Sequence, residues 1–186
     1  MQTLTLPLDE DILRSLRAGE QYMLSGVLYT ARDAAHKRMC DALAAGQPLP
    51  IPMQGAVIYF AGPAPAKPGH VIGPDGPTTS GRMDAYSPIL MEHGLAGMIG
   101  KGRRSADVIE AMVQHGAVYF GATGGCGALI AECIRKAEVV AYEDLGAEAI
   151  HRLEVEDFPV IVLIDSQGND LYQTGPASYL ATEATK

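Results

Sequence analysis

The 186-residue chain is long enough for one well-cored domain and cramped for two, and its composition (47% hydrophobic, 21 glycines, no tryptophan) is that of a soluble α/β protein. A formal charge of −8 argues against non-specific binding to nucleic acid or anionic membranes, and no apolar run approaches the ~20 residues of a bilayer span. The opening MQTLTLPLDEDILRSL predicts no secretory signal, and the three cysteines, Cys40, Cys126 and Cys133, have no framework spacing, which suits a reducing cytoplasm.

Residues 3–6 read as a short strand. Asp9-Glu10-Asp11 then opens a brief helical turn through Leu16, acids first as the helix dipole prefers. Gln21–Thr30, rich in Tyr, Leu and Val, predicts a strand with a bulge at Ser25-Gly26. It runs directly into ARDAAHKR, whose composition predicts a helix to about residue 45. Residues 47–52, QPLPIP, read as an extended connector, and residues 56–61, AVIYFA, as a compact apolar strand. Residues 62–76 carry Pro63, Pro65, Pro68 and Pro74, with Pro77 just beyond. Loops this long and this rich in proline are usually functional or mobile.

Beyond that loop the chain alternates. A helix over residues 82–93 precedes a strand at 96–100, a helix at 105–115 and a strand at 117–121. The glycine turn Gly124-Gly125-Cys126-Gly127 leads to a helix over 128–135 and a strand at 138–142. This βαβα order predicts an α/β fold, with a parallel or mixed sheet covered by helices. Residues 160–164, VIVLI, read as a buried strand that DSQGND turns into a hairpin-like exit at 171–173, and the last dozen residues are expected to fray. There is no internal repeat and no dividing linker, so residues 1–186 are expected to form a single domain.

Chemistry concentrates in Gly76-Pro77-Thr78-Thr79-Ser80-Gly81-Arg82-Met83-Asp84. Free N–H groups at a helix start, with hydroxyls and Arg82 beside them, make a cradle for an anion. The same residues also suit an ordinary turn in which Ser80 or Thr79 caps the helix. Residues 32–104 hold eight Lys/Arg against five Asp/Glu, whereas the remainder holds six against seventeen. A small anionic ligand is the economical explanation for cations gathered around the threonine loop.

Arg32 stands at a strand-to-helix junction, where α/β folds place ligand contacts; pairing with Asp33 or another acid is its alternative role. Lys101, in GKGRRS, lies between glycines that open the backbone to a ligand, and Ser105 can cap the next helix. The segment is not a P-loop, because Gly94 and Gly100 are one residue too far apart and Gly102 replaces the required Ser/Thr. GATGGCG at 121–127 fits no G-x-G-x-x-G register and reads as an anion-facing turn or a tight packing turn. Cys126 and Cys133 lack a Cys or His to complete a metal set, so no metal ligand is assigned to this chain. His36, four residues from Arg32 on one helix face, has the best functional case among the histidines, with packing as its alternative.

Six segments, SGVLYTARDAAHKRM, VIYFAGPAP, GPTTSGRMD, MIGKGRRS, VYFGATGG and AYEDLGAEAIHRLEVEDFPVIVLID, run in the order of one family from about residue 25 to 172. They resemble the β subunit, or C-terminal domain, of iron–sulfur hydro-lyases: class I fumarases and L-tartrate dehydratases. The resemblance implies a swivelling β/β/α domain and reversible hydration of fumarate to (S)-malate. Alternatives are L(+)-tartrate dehydration to oxaloacetate and a non-catalytic anion-binding module of the same fold.

It also implies a [4Fe–4S] cluster, held by a partner α subunit rather than by this chain's cysteines, whose open iron acts as a Lewis acid. Activity would need that α subunit in a cytoplasmic hetero-oligomer, α2β2, without nucleic acid or membrane. Carried over residue by residue, Thr78 would be the proton acceptor at the substrate carbon. Arg32, Arg82 and Lys101 would bind the dicarboxylate. Cys126 after the glycine pair is similar to the tartrate branch, whereas TTSGRMD and LEVEDFP are similar to fumarase.

Overall fold

The computed structural model describes residues 1–183. Its strands are β1 (Gln2–Thr5), β2 (Gln21–Thr30), β3 (Ala56–Tyr59), β4 (Leu95–Gly100), β5 (Val118–Gly121), β6 (Ile134–Ala141) and β7 (Ile150–Ile164). Its α-helices are α1 (Glu10–Ser15), α2 (Asp33–Ala44), α3 (Ser87–Glu92), α4 (Ala106–His115), α5 (Gly127–Glu132) and α6 (Leu171–Glu183). Among the described residues no helix is long and apolar enough to cross a membrane.

The sheet is mixed, in the order β1-β2-β3-β4-β5-β7-β6. Neighbours from β1 to β5 run parallel, and β7 is antiparallel to β2, β5 and β6. Because β7 pairs with both β2 and β5, strands β2, β3, β4, β5 and β7 close into a small barrel. The expected mixed sheet with helices is therefore present, and it is closed rather than open.

Strand residues alternate between two buried clusters. Val57, Tyr59 and Ala61 meet Leu24, Leu28, Ile99, Val118, Phe120, Leu153 and Val162 inside the barrel. Ile58 and Phe60 point the other way and pack with Met39, Leu90, Met98, Val108 and Met112 on the helix side. Strands buried on both faces must be largely apolar, which is why AVIYFA carries no charged residue. At the bulge foreseen in β2, Gly26 has φ 126°, and a Cβ there would stand 2.8 Å from Leu6 O.

Several expectations differ from the structure, among them the helix expected over 128–135 and the strand at 138–142, since α5 ends at Glu132 and β6 already begins at Ile134. The helix expected over 82–93 is a 3₁₀ turn at Ser80–Met83 followed by α3. Pro88 explains the break, since its ring would strike the Asp84 carbonyl in a continuous helix. The final strand begins at Ile150 rather than residue 160. The hairpin-like exit reduces to one bridge, Ile164 to Asp170, after which the chain becomes helical. Asp170 starts that helix by accepting Tyr172 N–H at 2.9 Å. Of the terminal dozen expected to fray, those through Glu183 belong to α6, and 184–186 lie outside the described residues.

Gly100, the last residue of β4, is where the fold admits the threonine loop. A Cβ there would collide with Ser80 Oγ and lie 3.0 Å from Phe60 Cδ2. Gly100→Ala is expected to cost about 1–3 kcal/mol of stability through overpacking. Urea unfolding measures this, and an unchanged midpoint would mean that the loop is not seated on β4.

Candidate active site

The parallel strands β2, β3, β4 and β5 all end at one rim of the barrel, the side on which α/β sheets place ligands. The proline-rich loop returns to that rim beside β3. Thr78 N–H donates to Phe60 O at 2.7 Å, and Pro77 bridges Ala61. Thr79 then bridges Lys101, and Ser80 N–H donates to Lys101 O at 2.9 Å. Ser80 Oγ accepts from Lys101 N–H at 3.1 Å and shares a 2.8 Å hydrogen bond with the Tyr119 hydroxyl. The loop is thus wedged between the ends of β3 and β4.

This corrects the capping role. Thr79 makes no side-chain cap, and Ser80 is turned toward Lys101 instead. Thr78 is half-buried, and among the described residues its hydroxyl has no hydrogen-bond partner. Ser105 does cap α4, accepting Val108 N–H at 3.4 Å.

Arg82 reaches to α2, where its Nη2 lies 3.0 Å from Asp33 Oδ1 and 3.1 Å from Oδ2. Arg32 stands just before α2, its Nη2 3.1 Å from Glu148 Oε1 and its Nε 3.9 Å from Asp33 Oδ1. Asp33 therefore holds Arg82 and lies at the edge of ion-pair distance from Arg32, which Glu148 holds more closely. The Arg32 stem lies along Gly62, where a Cβ would come within 3.2 Å of Arg32 Cδ and 2.7 Å of Ala147 O. Lys101 extends over the glycine turn after β5, with Nζ 3.5 Å from where a Gly124 Cβ would be. Among the described residues no carboxylate is within ion-pair distance of Lys101. The arrangement presents two steadied guanidinium groups, an unpaired ammonium and a free hydroxyl.

His36 is a packing residue. It is fully buried, edge-on to Phe60 with centroids 5.2 Å apart, and its Nδ1 lies 2.9 Å from Arg32 O. Burial pushes its pKa down to about 4, so it is neutral at ordinary pH. The cysteines do not suit an iron–sulfur cluster. Cys40 is on α2, while Cys126 and Cys133 flank opposite ends of α5. Burial raises the thiol pKa of Cys40 to about 11 and also raises that of Cys133, so neither is an activated thiolate in this chain. Among the described residues no three His, Cys, Asp or Glu side chains group to hold a metal ion.

Asp33, Glu148, Asp84, Arg104 and Asp75 were not singled out as site residues by sequence. Asp33 was legible as a neighbour of Arg32. Glu148 stands more than a hundred residues away, with no local pattern to reveal it.

The family model described as fumarase C-terminus matches residues 2–175. The chain is 44% identical over 152 residues to "Fumarate hydratase class I, anaerobic" of Escherichia coli K12, covering 81% of this chain and 28% of that protein. It is 42% identical over 156 residues to "Fumarate hydratase 2" of Leishmania major, covering 83% of this chain and 28% of the relative. It is 35% identical over 167 residues to "Putative L(+)-tartrate dehydratase subunit beta" of Methanocaldococcus jannaschii, covering 87% and 86% of the two chains. The chain thus spans little more than a quarter of the fumarate hydratase relatives and most of the subunit.

Asp75, three residues before Thr78, is fully buried, and neither carboxylate oxygen has a hydrogen-bond partner among the described residues. Its backbone is fixed instead, by Gly127 O at 3.0 Å and the Tyr59 hydroxyl at 2.7 Å. Burial raises its pKa from 3.8 to about 7. The unfolded chain ionises first as pH rises, so Asp75's contribution is intact below pH 3.8 and is lost by about pH 7. Asp75→Asn keeps the polar burden and removes the charge. It is expected to raise stability above pH 7 by up to roughly 4 kcal/mol, a gain that vanishes toward pH 4. Urea unfolding across that range tests this, and a pH-independent difference would place the cause elsewhere.

Proposed function

The chain belongs to the fumarase C-terminus family, and from that premise we infer that it is the β component of an iron–sulfur hydro-lyase converting fumarate reversibly to (S)-malate. The observation that carries the reading is the gathering of Arg32, Arg82, Lys101 and Thr78 at one barrel rim. Fumarate and malate are dianions, and fixed guanidinium groups hold carboxylates in register. Arg82 pairs with Asp33 through Nη2, leaving its other donors for a substrate carboxylate. Arg32 Nε is likewise buried without a hydrogen-bond partner among the described residues.

Removing a proton α to a carboxylate builds negative charge, which the same cations stabilise in the transition state. Thr78 is the proposed proton acceptor. Its hydroxyl is a poor base in water and needs nearby cations and a dry surrounding to lower its pKa. Arg82 is about half exposed and Lys101 is exposed, so a covering surface must supply the dryness.

We assign that cover to a partner α subunit in an α2β2 assembly, and with it the [4Fe–4S] cluster that this chain's cysteines do not suit. The length relation supports this, because the named beta subunit matches nearly end to end while the fumarate hydratases are far longer. The same reading takes residues 1–186 as one swivelling β/β/α domain in a reducing cytoplasm. L(+)-tartrate dehydration to oxaloacetate is a second reading, favoured by the 86% coverage of the tartrate dehydratase relative.

The decisive assay mixes this chain with the α polypeptide under anaerobic conditions after iron–sulfide reconstitution, offering fumarate and L-tartrate separately. Turnover of fumarate by the mixture, and by neither polypeptide alone, is the expected result. Silence with both substrates despite a stable complex would favour a non-catalytic anion-binding module. In the active assembly, Arg82→Ala should raise KM and lower kcat, a loss of about 2–4 kcal/mol in transition-state stabilisation. Thr78→Ala should leave assembly and KM largely intact and reduce kcat by about 100-fold or more. Near-normal kcat in that variant would remove Thr78 from proton transfer.

A further inference from the structure

Arg104 and Asp84 form an ion pair beneath the candidate site. The Arg104 side chain is 0% exposed and that of Asp84 17%. Arg104 Nε donates to Asp84 Oδ1 at 2.7 Å, and Nη2 donates to Ser87 Oγ at 2.8 Å. Nη1 lies 3.2 Å from Met98 Sδ. The guanidinium carbon sits 5.3 Å from the Phe60 ring centre and 5.0 Å from that of Tyr119. Asp84 Oδ2 accepts Ser105 N–H at 2.7 Å, which anchors the start of α4.

The positions of the pair matter as much as its geometry. Asp84 closes the stretch that carries Thr78 and Arg82, and Arg104 follows Lys101 by three residues. The pair joins the two loops from below, and the Ser80–Lys101 hydrogen bonds join them at the rim. Tyr119 belongs to both, since its hydroxyl reaches Ser80 Oγ and Gly102 O while its ring faces Arg104.

Burying two charges is costly, and an apolar pair of equal volume often holds a fold as well or better. An apolar pair lacks direction. The planar guanidinium fork serves Asp84 and Ser87 from fixed angles and so sets one register between the loops. We propose that the Arg104–Asp84 pair is a positioning clamp, holding Thr78 and Lys101 in the relative placement from which they act on one substrate. The inference rests on the hydro-lyase reading for its kinetic consequence and on geometry alone for its structural one. Arg104 is a positioning residue, since its enclosed side chain has no surface to offer a substrate.

The test compares Arg104→Met, Arg104→Lys and the double variant Arg104→Met/Asp84→Asn, in the free chain and in the assembled enzyme. Arg104→Met alone leaves a carboxylate without its cation and loses stability. The double variant removes both charges and should regain most of that stability. If the pair is a clamp, kcat falls by about tenfold or more in all three variants and stays low in the double variant. KM rises by less than kcat falls, because Asp33 and Glu148 steady the two arginines independently and only Lys101 among the binding cations loses its placement. Lysine should not rescue kcat, having no planar fork to serve Asp84 and Ser87 together.

Amide hydrogen exchange provides a readout independent of turnover. The Ser80 and Lys101 N–H groups should exchange about tenfold faster in the double variant, at matched global stability. Recovery of kcat and of exchange protection along with stability would overturn the clamp. So would full rescue by lysine, which also covers a double variant that fails to fold. Absence of turnover in the wild-type assembly would instead defeat the hydro-lyase reading. Exchange at Ser80 and Lys101 would then decide the clamp, and unchanged rates would overturn it.

Discussion

Closure of the sheet by β7 is the constraint on which the rest of the molecule depends. Parallel strands β2 to β5 would otherwise form an open sheet with two bare edges. The fifteen-residue β7 satisfies both edges, pairing with β2 through His151–Ile161 and with β5 through Ile161–Ile164. Closure also decides where chemistry is possible. With four parallel strands in one ring, their C-terminal ends become neighbours on a single rim. Arg32 follows β2, Lys101 follows β4 and the glycine turn follows β5, so topology carries residues far apart in sequence to the same rim. The threonine loop must then only come back to the gap between β3 and β4.

Electrostatics on that rim is arranged for orientation more than for strength. Asp33 hydrogen-bonds Arg82 and lies 3.9 Å from Arg32, which reduces the mutual repulsion of the two arginines, while Glu148 orients Arg32. These pairs are partly exposed, and exposed ion pairs contribute little to stability. A dianionic ligand can therefore share or displace them at low cost, whereas a deeply buried pair would resist. Lys101 has no such partner among the described residues and offers its full charge to whatever approaches. The buried Arg104–Asp84 pair is the opposite case: it is inaccessible to ligand, rigid, and connected to both loops. The site thus combines exchangeable contacts above with a fixed one below.

Much of this was legible in the sequence, for definable reasons. The strand-to-helix junction at Arg32, the cap at Ser105 and the bulge at Ser25-Gly26 are signalled by local residue types. Buried strands such as AVIYFA announce themselves by composition. The first half of β7 does not, because IHRLEVEDF alternates buried Ile150, Leu153, Val155 and Phe158 with charged residues. Pro159 and Asp157, the latter at φ 53°, further disguise it as a break. Pro176 similarly hides α6, which is helical despite a proline inside it. The candidate cations were visible as residues, and so was Asp33 beside Arg32, but the carboxylate partners distant in sequence were not. Glu148 and Asp84 acquire meaning only once the rim has brought them to Arg32 and Arg104.

The exposure of the rim sets a physical limit on what this chain does alone. Two unit charges 4 Å apart interact by about 1 kcal/mol in water and about 4 kcal/mol at an effective dielectric of 20. A threonine hydroxyl begins so far from ionisation that the aqueous figure, even from several cations, changes its basicity little. Thr78 is only half-buried and Lys101 is exposed, so in the free chain the cations act in the weak regime. Contact with an apolar or well-packed surface moves them to the strong regime without moving any atom of this chain. On the hydro-lyase reading, then, the need for a second polypeptide follows from dielectric screening as well as from the length of the relatives. On that reading the fold contributes preorganised residues, and covering the rim confers their reactivity.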